Sequence, residues 1–179
     1  NWGCQGVYYL SIEKQKSLAY KLVNCLPFNH YSRKMLGYLE AMRFGADIII
    51  DMDDDNIPKE HWYFPDFQGN FNSVSSKGFV NIYQIFTNQK IWPRGFPLNL
   101  ILESFSLDSF LNTNYFNIGV WQGLADEDPD VDALYRLTSN KTCYFNDHEP
   151  IVLEKGTLCP FNTQNTAIRK ELFPLLYLP

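Results

Sequence analysis

Residues 46–55 read Ala-Asp-Ile-Ile-Ile-Asp-Met-Asp-Asp-Asp. The apolar part of this run is the kind that a central parallel strand of an α/β sheet shows, because both of its faces are covered. The aspartates begin where that run ends. Asp51, Asp53, Asp54 and Asp55 place four carboxylates within five residues. Only a cation or full solvation relieves their mutual repulsion. In open α/β sheets ligands bind outside the carboxyl ends of the strands. The run is therefore expected at a ligand-bearing edge, and a solvated acidic loop is the competing reading. Hard oxygen donors of this type suit Mg2+ or Mn2+, often shared with a substrate's phosphates. An EF-hand fails, because Asn56 stands where that loop needs Gly and Trp62 where it needs a bidentate Glu.

The flanking sequence alternates in type. Residues 7–10 favour a strand, and Ser11 can cap a helix with Leu18, Leu22 and Val23 at helical spacing, ended by Pro27. Residues 31–44 predict a second helix, with Met35, Leu39 and Met42 on one stripe and Gly45 as its stop. Gly37 inside that helix costs about 1 kcal/mol relative to Ala, which implies that something packs closely there. Residues 56–77 read as loop, 79–86 as a strand, 92–97 as a stiff Pro-flanked loop and 98–104 as a short helix. A strand over 116–124 precedes the acidic stretch 125–132, then a helix over 131–137, a strand over 151–153 and a helical turn or two within 166–178. This order predicts an α/β fold, a mixed sheet with helices on both faces and long functional loops.

Composition narrows the function. A chain of 179 residues supports one domain, 1–179, and not comfortably two. The formal net charge of −5 argues against a partner gripped through its phosphates, so no nucleic acid is expected. No apolar run reaches the ~18 residues of a membrane span. An aromatic content of 16% suits a domain that binds something flat, such as a base or a sugar. Cys4, Cys25, Cys143 and Cys159 lack a CxxC spacing, so zinc is not expected; their even number permits two disulfides without requiring them. Asn140-Lys141-Thr142 is a sequon usable in a secretory compartment. The chain starts at Asn1, which leads us to expect a piece of a longer polypeptide.

A strand followed by Asp-x-Asp is how nucleotide-sugar glycosyltransferases of the GT-A type hold the metal that bridges a diphosphate. Several further segments carry a more specific resemblance. They are Val7-Tyr8-Tyr9-Leu10-Ser11 with Gln15; Leu26-Pro27-Phe28-Asn29-His30-Tyr31-Ser32-Arg33-Lys34-Met35-Leu36-Gly37-Tyr38-Leu39-Glu40-Ala41; and Gly45-Ala46. Next come Asp51-Met52-Asp53-Asp54-Asp55-Asn56 and Trp92-Pro93-Arg94-Gly95-Phe96-Pro97-Leu98. Last are Gln122-Gly123-Leu124-Ala125-Asp126, Asp128-Pro129-Asp130-Val131-Asp132-Ala133 with Arg136, and Lys155-Gly156-Thr157 with Pro160-Phe161-Asn162-Thr163-Gln164-Asn165-Thr166. In this order the chain resembles the STELLO-like family of GT-A-type glycosyltransferases over nearly its whole length. A more distant likeness, through Arg94 to Pro97 and Pro129 to Asp132, is to the reversibly glycosylated polypeptides, which include UDP-arabinopyranose mutases.

The resemblance implies a GT-A-like (Rossmann-like) fold and transfer of a sugar from a UDP- or GDP-sugar to a glycan or protein acceptor, with Mn2+ or Mg2+. It also implies a Golgi lumen location as part of a type II membrane protein, the membrane being reached only through a segment absent from this chain. The GT-A strand that cradles the nucleoside base is expected to be missing, since nothing before Gly6 can serve. A sugar-nucleotide mutase and a non-catalytic transferase-like partner of a glycan-synthesis complex are the alternatives.

Roles follow for individual residues. Asp53, Asp54 and Asp55 are the expected metal ligands, with Asp51 on the donor side. Arg33 and Lys34 open the helix before the metal strand, where they contact donor phosphate or form a surface pair. Arg94, beside Gly95 on a rigid loop, clamps a phosphate or carboxylate, or forms a structural salt bridge to the acidic stretch. An inverting transferase needs a carboxylate to take the acceptor's proton. Asp130 and Asp132 are the candidates, and Asp130 can instead cap the next helix. Trp121 and Trp92 stack on a sugar or base, or belong to the core. His148 is a candidate late ligand, and Asn162, Gln164 and Asn165 suit hydroxyl recognition or turns.

Overall fold

A computed structural model describes residues 5–103, 111–139 and 141–176. Cys4 and the sequon's Asn140 lie outside them. The chain divides into two compact units, Asn1–Ile49 with Arg169–Pro179, and Ile50–Ile168.

In the first unit the Ser11 hydroxyl accepts the Lys14 N–H at 3.3 Å and caps α1 (Ile12–Lys16). The helix is shorter than its apolar spacing predicts, and Leu22 and Val23 fall in a separate 3-10 turn, Lys21–Asn24. Residues 7–10 form no strand. A 3-10 turn, Tyr31–Arg33, leads into α2 (Lys34–Arg43), which buries Leu36, Tyr38 and Glu40. Gly45 ends this stretch at φ +81°, the left-handed conformation that favours glycine. Among the described residues nothing lies within 4 Å of where a Gly37 Cβ would stand, and none of them supplies the close packing expected there. The tail after residue 169 is a 3-10 helix, Lys170–Leu175.

The remaining elements run in chain order through β1 (Ile48–Met52), β2 (Gln68–Val74), β3 (Gly78–Phe79) and α3 (Tyr83–Phe86). Then come β4 (Leu111–Asn117), β5 (Val120–Gln122), α4 (Ala133–Thr138), β6 (Ile151–Leu153), β7 (Thr157–Leu158) and β8 (Asn165–Arg169). The strands form sheets ordered β1-β8-β5, β4-β2-β6 and β3-β7. β2 runs antiparallel to β4, from Gln68 opposite Asn117 to Val74 opposite Leu111, and parallel to β6. β5 runs antiparallel to β8. The result is a mixed α/β structure, compatible with a GT-A-like α/β fold. Among the described residues no helix is long and apolar enough to cross a membrane.

Three local expectations are corrected. β1 stands at a sheet edge rather than its centre, and continues through Asp51 and Met52. Successive side chains point to opposite faces; Ile49 and Asp51 are buried, whereas Ile48 and Ile50 are 43% and 47% exposed. The expected 56–77 loop contains β2, whose Gln-Gly-Asn-Phe-Asn-Ser-Val sequence lacks apolar alternation and is held by its ladder to β4. The expected 79–86 strand is the two-residue β3 followed by α3, with the Asn81 side chain donating to the Ile91 carbonyl at 2.8 Å across the turn. Below this turn Tyr83, Ile91, Val131, Tyr135 and Cys143 make one buried cluster. Ile118, Trp121 and Ala167 make another beside β5 and β8.

Candidate functional site

The aspartate run leaves β1 and turns at once. Asn56 N–H donates to the Asp53 carbonyl at 3.2 Å, and Asp53 N–H donates to the Gln164 carbonyl at 3.1 Å. The Asn56 amide donates to that same carbonyl at 2.7 Å. Gln164 also reaches the other acidic segment through its side chain. Its Oε1 accepts the Asp130 N–H at 3.1 Å, and its Nε2 donates to the Asp128 carbonyl at 3.2 Å. A single glutamine thus ties together two acidic loops some 75 positions apart in sequence, on the order that loop closure must bridge.

The loops border a cleft of about 1280 Å3 within the second unit, lined among others by Asp55, Asn56, Lys59, Trp62, Asp126 and Asn165. Asp54 and Asp55 are exposed, Asp53 is half-buried and Asp51 is buried within β1 on the face of Ile49. Of these four, Asp55 lines the cleft. Opposite charges are already paired nearby. Lys59 Nζ meets Asp126 Oδ2 at 2.6 Å, and Asp126 Oδ1 accepts the Phe145 N–H at 2.9 Å.

The predicted base and clamp residues are occupied. Asp130 forms an ion pair with the exposed Arg94, the salt bridge that competed with the clamp reading, and Gly95 supports the loop at φ +82°. Asp128 pairs with Arg136. The helix cap falls to Asp132, whose Oδ1 accepts the Leu134 N–H at 2.9 Å, and not to Asp130. Neither Asp130 nor Asp132 lines the cleft.

Trp121 is 7% exposed, donates its indole N–H to the Asp66 carbonyl at 3.3 Å and meets Phe71 edge-on, so it belongs to the cleft wall and the core. Trp62 is the indole presented at this cleft, 37% exposed. Trp92 meets Tyr135 edge-on and packs against the buried Tyr83 cluster. His148 is exposed, with Nδ1 2.8 Å from the Glu149 carbonyl and its ring edge-on to Phe86.

Arg33 and Lys34 belong to the first unit. The Arg33 guanidinium donates to Gln15 Oε1 at 2.6 Å and to the Leu26 carbonyl at 2.9 Å, and lies over the Phe28 ring. These contacts fasten the segment before α2.

Among the described residues no three His, Cys, Asp or Glu side chains converge as a metal site. The donor set, carboxylates on a turn with one at the cleft, fits a Mg2+-type ion held by one or two carboxylates and a ligand's phosphates, rather than an all-protein cage. Burial pushes the cleft-lining Cys159 thiol up to about 11, which disfavours its thiolate at neutral pH. Burial likewise raises the Tyr83 phenol, with nearby Cys159 and Asp130 adding to the effect.

Sequence reasoning missed Lys59 and Trp62. Their signal was a cation and an aromatic cluster, Lys59-Glu60-His61-Trp62-Tyr63-Phe64, directly after the aspartates.

No protein-family model matches the chain. The Arabidopsis thaliana proteins named Probable glycosyltransferase STELLO2 and Probable glycosyltransferase STELLO1 are 28% and 29% identical to it over 204 and 203 aligned positions. Each alignment takes in 100% of this chain and 26% of the relative, so the chain spans about a quarter of the length of the curated relatives it matches. Whole-chain similarity to two proteins so named supports the STELLO-like glycosyltransferase resemblance.

Proposed function

We propose that this chain forms the donor-binding part of a metal-dependent glycosyltransferase that moves a sugar from a UDP- or GDP-sugar to a hydroxyl of a glycan or protein acceptor. The observation that carries the reading is the double tie of Gln164, which holds the Asp53 turn and the Asp128–Asp130 segment together. Asp53 and Asp55 would hold Mn2+ or Mg2+, which supplies Lewis-acid stabilisation of a departing diphosphate when bound.

The protein's own groups have distinct tasks in this scheme. Lys59 and Lys155 both line the cleft as cations for a phosphate oxygen, Lys59 being restrained by its pair with Asp126. Asp126 and Glu127 are the carboxylates of the second acidic segment that line the cleft, and Asp126 takes the base role better than Asp130 or Asp132. Asp130 holds Arg94, and Asp132 caps α4. A Golgi lumen location, within a type II membrane protein, belongs to the same proposal and rests on the family resemblance.

The test is calorimetry of UDP and of GDP with Mn2+ on the full-length protein. Manganese-dependent affinity is expected, falling at least about tenfold in the Asp53→Asn, Asp55→Asn double variant. Absence of affinity for both UDP and GDP in the wild type with Mn2+ present overturns the transferase reading.

A further inference from the structure

Asn165 is 9% exposed and yet lines the cleft. It begins β8, and its carbonyl accepts the Gly123 N–H at 2.8 Å. Its side-chain Oδ1 accepts the Trp62 indole N–H at 3.3 Å. An indole nitrogen only donates, so this contact fixes which end of the amide is oxygen. The other end, Nδ2, sits over Gly123. A Cβ on residue 123 would come within 2.3 Å of it, so the amide fills the place that any other side chain would occupy. Among the described residues Nδ2 has no hydrogen-bond partner. Nδ2 is not among the fully enclosed unpartnered atoms, so it keeps an open side. Here it borders a cleft in which a ligand can answer it.

Beside that donor stands the partly exposed Trp62, with Tyr63 73% exposed next to it, and Asp55 on the same cleft. A flat apolar plate and a fixed N–H donor together match a pyranose. Its C–H face lies on the ring, and its hydroxyls both accept and donate.

We infer that Asn165 and Trp62 form a sugar-ring subsite in the cleft, with Asn165 Nδ2 reading a sugar oxygen and Gly123 making room for it. The sugar is either that of the nucleotide donor or that of a glycan acceptor. As part of the reaction, the assignment rests on the transferase reading above.

The informative variant is Asn165→Asp, which keeps the size and the acceptor for Trp62 but replaces the donor with an oxygen. UDP, UDP-glucose, maltotriose and cellotriose are titrated into the full-length protein with Mn2+, by calorimetry and by tryptophan fluorescence. In Asn165→Asp, affinity for UDP-glucose or for an oligosaccharide is expected to fall about tenfold or more, while affinity for UDP stays within about twofold. Loss confined to UDP-glucose assigns the ring to the donor, and loss confined to the oligosaccharides assigns it to the acceptor.

Trp62→Ala, a change at a partly exposed position, is expected to lose the same ligand and its fluorescence response. This second variant keeps the test decisive if Asn165→Asp does not fold. Unchanged sugar affinity in a folded Asn165→Asp protein, or an equal fall for UDP, overturns the subsite. Should the wild type bind an oligosaccharide through Asn165 but fail to bind UDP and GDP alike, the subsite stands and the transferase reading falls.

Discussion

The Gln164 side-chain oxygen accepts the Asp130 N–H at 3.1 Å while its own carbonyl accepts the Asp53 N–H at the same distance. The side chain therefore fixes one acidic loop against the other without using a carboxylate. Gln164→Ala deletes the bonds to Asp130 and Asp128, each worth a net ~0.5–1.5 kcal/mol. A loss of about 1–3 kcal/mol in urea unfolding is expected, with weaker manganese-dependent UDP binding. Gln164→Glu should also weaken binding, because it turns an oxygen toward the Asp128 carbonyl. An unchanged unfolding midpoint in the alanine variant would show that the tie holds nothing.

Gly123→Ala tests the amide's seat. A new Cβ must displace Asn165 Nδ2 from 2.3 Å, and the shift breaks the Trp62 contact that orients the amide. Overpacking at a tight site costs about 1–3 kcal/mol. The expected result is a lower unfolding midpoint together with a changed tryptophan emission. A variant with wild-type stability and emission would mean that the amide has room to move.

What could be read in advance depended on how local the cause was. The Ser11 cap and the Gly45 stop rest on neighbours within a few positions, and each appears. β2 and β4 are rich in Asn and polar residues, and exist through their pairing with each other across some forty positions of chain. That signal is absent from either segment alone. At the site, the carboxylate run marks the turn after β1, and Gln164 and Asn165 read as amides suited to hydroxyl recognition or to turns. Their work depends on partners such as Asp53, Asp130, Trp62 and Gly123, which no sequence period brings together. Asp130 and Asp132 exchanged their expected cap because the helix begins two residues later than the expected span.

Glu40 predicts a defined acid response in the first unit. Its carboxylate accepts from Arg43 at 2.9 and 2.8 Å and from the Tyr20 hydroxyl at 2.7 Å, and these bonds, Arg43 first, hold its carboxyl down to about 2 against an ordinary 4.5. A pKa lowered on folding means that the unfolded chain binds the proton more readily. The stability from this group is therefore complete above about pH 4.5 and is lost as pH falls toward about 2. In thermal unfolding across that window, Glu40→Gln should show a shallower loss than wild type and a lower midpoint near neutral pH. Parallel curves for the two proteins would remove Glu40 as the source.

Thiol labelling tests the enclosure of the cleft wall. Cys25, Cys143 and Cys159 are free; Cys25 is exposed, Cys143 is buried and Cys159 is half-buried at the cleft. Disulfide exchange requires thiolate, and burial has moved Cys159 to about 11, well above a solvent-exposed thiol. In a Cys4→Ser background at about pH 8, where an ordinary thiol near 8.5 is partly ionised, DTNB should modify Cys25 rapidly and the other two only on unfolding. Cys25→Ser should remove that fast phase. Fast labelling of Cys159 in the folded protein would mean that the cleft wall opens to solvent far more than its geometry indicates. Its protection, joined to unchanged UDP binding after labelling, leaves carboxylates and not a thiol as the groups available for chemistry in this cleft.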